Sequence, residues 1–263
     1  MKSLLSTLGM FLAVLALTVT TGLAQGKNRS KTVNLNENLM VGETLLEKGE
    51  YRMKFDANSN ELHVEKDGKL VKSIKARVVD LQTGEYTDAH DAQLFDPLKA
   101  ARDPKLSDAL DGEEDIALIK RRERFTTIYM VEKDGKLESL ILPVRGYGLW
   151  STLHGFVALK GDLNTVVGLG FYQHAETPGL GGEVDNPKWK ALWPGKVLFD
   201  AQGKPAIHIV KGGVDPASPD AKHQVDGLAG ATLTSNGVDR LLQFWLGEQG
   251  FGPYLAKLRT QGV

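Results

Sequence analysis

The heptapeptide Val-Glu-Lys-Asp-Gly-Lys-Leu occurs twice, at Val64–Leu70 and at Val131–Leu137. In both copies Asp-Gly stands between β-prone flanks, the dipeptide that a two-residue hairpin turn favours because both of its central residues need positive φ. Two copies are too few for a solenoid, so the repeat is turn chemistry used twice. Each predicts an antiparallel hairpin, and together they commit much of the chain to antiparallel sheet.

The neighbouring sequence agrees. From Thr32 to about Val79 the segments TVNLNENLMV, GEYRMKFD, ELHVE and LVKSIKARVV read as strands, with DANSN and KDGK as turns. Asp80 to Arg124 reads as a connection of polar loops and short helices, DPLKAARDP and EEDIALIKRRER, with Lys120 to Arg124 as a solvated charged turn. Phe125 to Val144 is a hairpin, and a second strand pair surrounds LKGDLN. NPKWKALW predicts a short helix, KVLFD and AIHIVKGG predict strands, and DPASPDAKHQ predicts a surface loop. Val238, Leu241, Leu242, Trp245 and Leu246 recur at three- and four-residue steps, which predicts a helix over Asn236–Gln249 with one apolar stripe. A second helix is expected at about Pro253–Arg259. The fold class is α+β, and a boundary is expected near residues 76 to 90.

Composition narrows the function classes. The 263 residues carry a formal charge of −1 with both signs mixed along the chain, which excludes an electrostatic footprint for nucleic acid. Cysteine is absent, which excludes disulfides, thiolate nucleophiles and cysteine-bound iron–sulfur clusters. The six histidines show no paired spacing with carboxylates, so no metal site is expected. At the front, a lysine, an apolar run from Leu8 to Leu17 and small residues at Gly22 and Ala24 read as an export signal; a membrane anchor over Leu4–Ala24 is the alternative. Both readings deliver the remainder outside the cytoplasm.

Three stretches remain as candidate sites. GYGLWS mimics the opening of a dinucleotide-binding fingerprint, but a strand pattern follows it where that fingerprint needs a helix. Gly146 and Gly148 then read as a tight connection between strands, with a ligand role as the alternative, and Trp150 as a core aromatic rather than a stacking platform. ETPGLGGE, Glu176 to Glu183, reads as a surface turn, or as a cradle whose backbone N–H groups a flat ligand can approach. DGLAGATLTSNGV, Asp226 to Val238, places Thr232 ahead of a helix that Thr234 or Ser235 can cap, near the positive end of the helix dipole. Such a place suits phosphate, although an ordinary Gly-Ala turn explains the same residues.

RGYGLWSTLHGFVAL, ETPGLGGEVDNPKWKALWPGK and DGLAGATLTSNGV, in this order, resemble the C subunit of the sodium-translocating NADH:quinone oxidoreductase family, and the likeness runs from about Arg77 to Arg259. The resemblance implies an antiparallel-sheet FMN-binding domain with C-terminal helices over residues 125–263. A connecting region at 80–124, a small β-rich segment at 25–79 and the signal or anchor at 1–24 would precede it. It also implies one covalent FMN per chain, phosphoester-linked to the last threonine of a D-x-x-[S/T]-G-A-T motif, here Thr232. Asp226, Gly230 and Ala231 match that motif; Ala229 stands where a hydroxyl residue is usual. An exported flavin transferase that takes FMN from FAD would attach the group.

In this reading Gly148, Leu149, Trp150 and Ser151 form one wall for the isoalloxazine ring, and Glu176, Thr177, Pro178, Gly179 and Leu180 the other. Thr177 and the loop N–H groups would hydrogen-bond the ring, and Glu176 would disfavour the anionic reduced flavin. The chain would have no catalytic pocket of its own. It would relay electrons among the other subunits of a membrane complex, with the flavin domain on the periplasmic side. An exported soluble electron shuttle and the related G subunit of ferredoxin:NAD oxidoreductases are the alternatives.

Overall fold

The computed structural model describes residues 28–261 apart from 36–38, 42–43, 57–58, 60, 93 and 134, so the signal or anchor expected at residues 1–24 lies outside the described residues. Seven strands come first: β1 (Asn28–Leu35), β2 (Leu39–Val41), β3 (Thr44–Leu46), β4 (Gly49–Asp56), β5 (Glu61–Lys66), β6 (Lys69–Asp80) and β7 (Glu85–Tyr86). Helix α1 (Pro97–Ala100), β8 (Ser107–Ala109) and β9 (Arg121–Glu123) follow, then β10 (Phe125–Lys133), β11 (Lys136–Tyr147), β12 (Thr152–Lys160) and β13 (Val166–Gln173). The last part comprises α2 (Pro187–Lys190), β14 (His208–Val210), β15 (Gln224–Asp226), α3 (Thr232–Leu246) and α4 (Gly252–Gln261).

One antiparallel sheet runs in the order β1-β4-β5-β6-β10-β11-β12-β13, with β7 added beside β6. Asp67 (φ 51°) and Gly68 (φ 74°) form the turn between β5 and β6, and Gly135 (φ 74°) stands in the turn between β10 and β11. Both copies of the heptapeptide therefore lie at antiparallel hairpins, the first with its Asp-Gly pair at positive φ. Strand β6 pairs with β5 on one side and with β10 on the other. The boundary expected near residues 76 to 90 thus begins inside a strand shared by the front and the rear of the sheet.

The central strands bury both faces. Ile128 and Met130 of β10, with Leu140 and Leu142 of β11, face the helices. Tyr129, Val131 and Ile141 join Tyr51, Met53, Leu62, Val64 and Ile74 on the opposite face. Burial on both sides explains why Leu140–Val144 is a continuous apolar run rather than an alternating one. Against the first face lie Val238, Leu241, Leu242, Trp245 and Leu246 of α3, the stripe expected from its periodicity.

Helix α3 comes very close to β11. A Cβ on Gly146 would lie 2.8 Å from Leu241 Cβ, and one on Gly237 would lie 2.5 Å from the Tyr147 carbonyl oxygen. The Trp245 indole N–H donates to the Arg145 carbonyl at 2.7 Å, which satisfies a backbone acceptor under the helix. Helix α4 is tied down through Tyr254, whose hydroxyl lies 2.8 Å from that of Tyr86.

The connection differs from expectation. DPLKAARDP contains the short helix α1, capped by the Asp96 carboxylate, but EEDIALIKRRER forms turns followed by β9. Asp115 explains the difference, because its two oxygens accept from the Ile119 and Lys120 N–H groups and so draw them away from a helical ladder. Nor is Lys120–Arg124 a solvated turn: Arg122 and Glu123 are buried. Arg122 donates to Asp108 and to the Gln249 carbonyl, while Glu123 accepts from Arg145 at 2.5 Å. The charges are needed inside, where each has an opposite partner. Among the described residues no helix is long and apolar enough to cross a membrane.

His154 on β12 stands directly opposite Arg145 on β11, and its Nδ1 is buried without a hydrogen-bond partner. Burial, followed by the positive charges of Arg145 and Arg102, pulls its pKa from 6.5 down to about 4. Between those values the unfolded chain binds a proton that the folded chain refuses, so stability falls as the pH is lowered through this window. Urea unfolding at a series of pH values is expected to show this loss, and His154→Gln is expected to flatten it.

Candidate functional site

The site is built where three connections meet at the N-terminus of α3. Strand β15 leads into it, pinned by Asp226: the carboxylate accepts from the Val214 N–H at 2.8 Å, and the backbone carbonyl accepts from the Trp189 indole at 2.8 Å. The next residue, Gly227, donates its N–H to the Val210 carbonyl at 2.8 Å. Gly230 then turns the chain with φ 71°, a conformation that side chains disfavour. Ala231 is buried, and Thr232 emerges exposed as the first residue of the helix.

The helix therefore starts at Thr232, four residues earlier than its apolar pattern predicts, and neither Thr234 nor Ser235 caps it. Both hydroxyls are drawn inward. Ser235 Oγ accepts from the Leu228 N–H at 2.9 Å and donates to the Ala231 carbonyl at 3.1 Å, closing the Leu228–Ala231 turn from below. Ala229 is exposed, so a hydroxyl at that position would face solvent, and the turn is held by Ser235 instead. The cap position is Ala231, with no side-chain hydrogen bond, whereas α1 and α2 are capped by Asp96 and Asn186. The first N–H groups of α3 are thus left without a helical or capping partner beside an exposed threonine hydroxyl.

Two further connections flank this terminus. Between β11 and β12, Gly148–Ser151 turns sharply, with the Gly148 N–H donating to the Ser151 carbonyl at 2.9 Å. Trp150 is 65 % exposed rather than a core aromatic, and Leu149 is also exposed. After β13, the Thr177 carbonyl accepts from the N–H groups of Leu180 and Gly182, and residues Gly181–Asp185 form a turn of 3-10 helix. Several N–H groups of this segment are therefore spent within it, while Thr177, Pro178, Gly179 and Leu180 are exposed. Leu180 reaches the threonine turn: a Cβ on Gly230 would lie 3.2 Å from its Cδ2.

Glu176 joins all three connections. Its carboxylate, only 5 % exposed as a residue, accepts from the N–H groups of Leu149 (3.2 Å), Trp150 (2.9 Å) and Ser151 (3.1 Å) and from the Ser151 hydroxyl (3.3 Å). Its other oxygen accepts from the Thr234 hydroxyl at 2.7 Å. Burial raises the carboxyl pKa, but the Thr234 hydroxyl and the three N–H groups outweigh it and hold the group below its ordinary value. These donors keep the carboxylate ionised and fix its position, so it ties the three connections together. Space for the carboxylate is made by glycine, since a Cβ on Gly148 would lie 2.7 Å from Glu176 Oε1.

The structure thus brings Thr232, Gly230 and Ala231 together with both predicted walls. Asp226 acts at one remove, by holding Val214 in the connection between β14 and β15. Thr234 and Ser235 were legible as hydroxyl residues near a helix start, but their tertiary partners Glu176 and Leu228 were not. Gly181 tests the geometry: a Cβ there would collide with Thr234 Oγ1 and lie 2.7 Å from Glu176 Oε2. Gly181→Ala is expected to cost about 1–3 kcal/mol of stability through overpacking, read as a lowered denaturant midpoint with the slope unchanged.

Residues 148–247, the segment that holds these three connections, match the model of the FMN-binding domain family. The chain is 71 % identical over 197 residues to the C subunit of the Na+-translocating NADH-quinone reductase of Pseudomonas aeruginosa, covering 73 % of this chain and 76 % of that one. It is 50 % identical over 190 residues to the same subunit of Vibrio vulnificus, covering 72 % and 73 %. Among solved structures, Shewanella oneidensis NqrC superposes with a TM-score of 0.66 at 40 % identity, over 71 % of this chain and 84 % of that one. The C subunit of the reductase from Parabacteroides distasonis gives 0.51 at 28 % identity, over 72 % and 78 %. With identity at this level across most of each relative, the chain belongs to the NqrC family, the C subunits of the Na+-translocating NADH-quinone reductases.

Proposed function

We propose that this chain carries FMN in phosphoester linkage to Thr232 and relays electrons between neighbouring redox centres of a Na+-translocating NADH-quinone reductase complex. The observation that carries the reading is the N-terminus of α3. There an exposed threonine hydroxyl, helix N–H groups without a cap and a positive-φ glycine stand beside exposed Trp150, Leu149 and Leu180. A phosphate suits the uncapped helix terminus, where N–H groups and the dipole favour negative charge. A flat, largely apolar ring suits the two exposed walls.

When bound, FMN supplies the one- and two-electron chemistry that a cysteine-free chain lacks. The protein's own residues supply placement. Thr232 fixes one end of the group and Ser235 holds the turn that presents it. Leu149, Trp150 and Leu180 would shield an apolar face, and the exposed Thr177 would offer a hydroxyl donor to the ring. Attachment calls for an exported flavin transferase, which would supply the base that takes the threonine hydroxyl proton and move the FMN phosphoryl group from FAD to that oxygen, breaking the FAD pyrophosphate bond and releasing AMP. An extracytoplasmic flavin domain, on the periplasmic side of the cell membrane, follows from the signal or anchor character of residues 1–24 and from the need to meet that enzyme.

Intact-protein mass after expression with and without the transferase tests the reading, the expected difference being one FMN phosphoryl adduct. Thr232→Ala is expected to abolish flavin that survives denaturation; flavin retained by that variant would refute the assignment. Ser235→Ala removes the brace of the Leu228–Ala231 turn and is expected to lower the flavinylated fraction several-fold. Ala229→Ser, at an exposed position, is expected to change stability by less than about 0.5 kcal/mol. In-gel flavin fluorescence normalised to protein reads the flavinylated fraction in both variants.

A further inference from the structure

Glu176 does more than fill a gap between loops. One carboxylate holds the backbone of Leu149, Trp150 and Ser151 on one side and the Thr234 hydroxyl on the other. Thr234 lies two residues beyond Thr232, in the same first turn of α3. The wall and the tether therefore meet at a single buried group. Hydrogen bonds to an ionised carboxylate are roughly twice as strong as neutral ones and directional, so they fix the relative position of the parts they join. Glycines at 148 and 181 let both arms close on the carboxylate, since a side chain at either position would strike it. The far end of this loop is fixed as well: the Glu176 N–H donates to His174 Nδ1 at 3.2 Å, and His174 Nε2 lies 2.8 Å from Asp185 Oδ2.

We propose that Glu176 is a positioning residue for the flavin, locking the Gly148–Ser151 wall to the helical turn that bears Thr232 so that ring and tether share one rigid frame. This rests on the reading that FMN is attached at Thr232. Glu176 touches no reacting atom in this role; it acts through the backbone of Leu149–Ser151 and through Thr234. The exposed Trp150 ring, on a short turn between strands, is held in place largely from behind by these bonds.

The test uses the full chain expressed with the flavin transferase, as wild type and as Glu176→Gln, Thr234→Val and Thr234→Ser. Mass spectrometry first establishes flavin at Thr232 in each. Among flavinylated chains, Glu176→Gln and Thr234→Val are expected to show lower flavin fluorescence anisotropy and a visible circular-dichroism signal weakened about twofold or more. Thr234→Ser keeps the hydroxyl and is expected to retain wild-type values, a rescue that a general packing defect would not give. In chains made without the transferase, amide exchange at Leu149–Ser151 is expected to quicken about tenfold in Glu176→Gln, as for loss of a hydrogen bond to a charged group, while exchange in β10–β12 stays unchanged. Should Glu176→Gln fail to fold, Thr234→Val against Thr234→Ser decides the matter. Flavin present at Thr232 with anisotropy, dichroism and exchange unaltered in the variants overturns the positioning role alone. A wild-type chain without flavin at Thr232 overturns the functional reading and the positioning role together.

Discussion

Helix α3 can lie on the sheet only because β11 and its own first turns omit side chains where they touch. Gly146 faces Leu241, and Gly237 faces the Tyr147 carbonyl, at separations that a Cβ would close to 2.8 and 2.5 Å. Once the backbones approach this closely, the helix axis, the β11–β12 turn and the start of the helix are set relative to one another. Close packing resists small adjustments, so this contact behaves as a fixed joint. The indole of Trp245 bonded to the Arg145 carbonyl completes the joint lower down the helix.

The joint explains the chemistry at its end. A helix terminus that must reach Glu176 and the Gly148 turn cannot also spend its hydroxyls on capping, so Thr234 and Ser235 point inward and the N-terminal N–H groups stay open. An uncapped terminus costs a helix stability, commonly on the order of 1 kcal/mol. Local inconsistency of this kind is where folded proteins place function. The same economy governs Glu176, a buried carboxylate acceptable only because five hydrogen-bond donors converge on it.

Particular residues show how far the sequence could be read. The Asp-Gly pairs specify their hairpins because positive φ at two successive residues is a local demand, met at Asp67 and Gly68. The α3 stripe was legible because its period repeats over three turns. The start of that helix was not, since Thr234 and Ser235 look like caps until their partners, Glu176 and Leu228, are known. Arg122 and Glu123 looked like surface charges for the same reason: Asp108 and Arg145, which neutralise them, lie 14 and 22 residues away. The order of the three long motifs carried the family resemblance, and that resemblance placed Trp150 in a wall where propensity alone placed it in a core.

What the sequence by itself determined is therefore whatever rests on neighbours along the chain: the hairpins, the apolar face of α3, the lack of thiols, and a threonine set among small residues. Tertiary structure decided everything that rests on pairing across distance. It drew α3 back to begin at Thr232, turned its hydroxyls inward, buried the charges of β9 and gathered three separate connections around the Glu176 carboxylate. The physical reason is that a polar side chain takes the geometry of the partner that desolvates it least unfavourably, and that partner is known only after the sheet has brought the segments together.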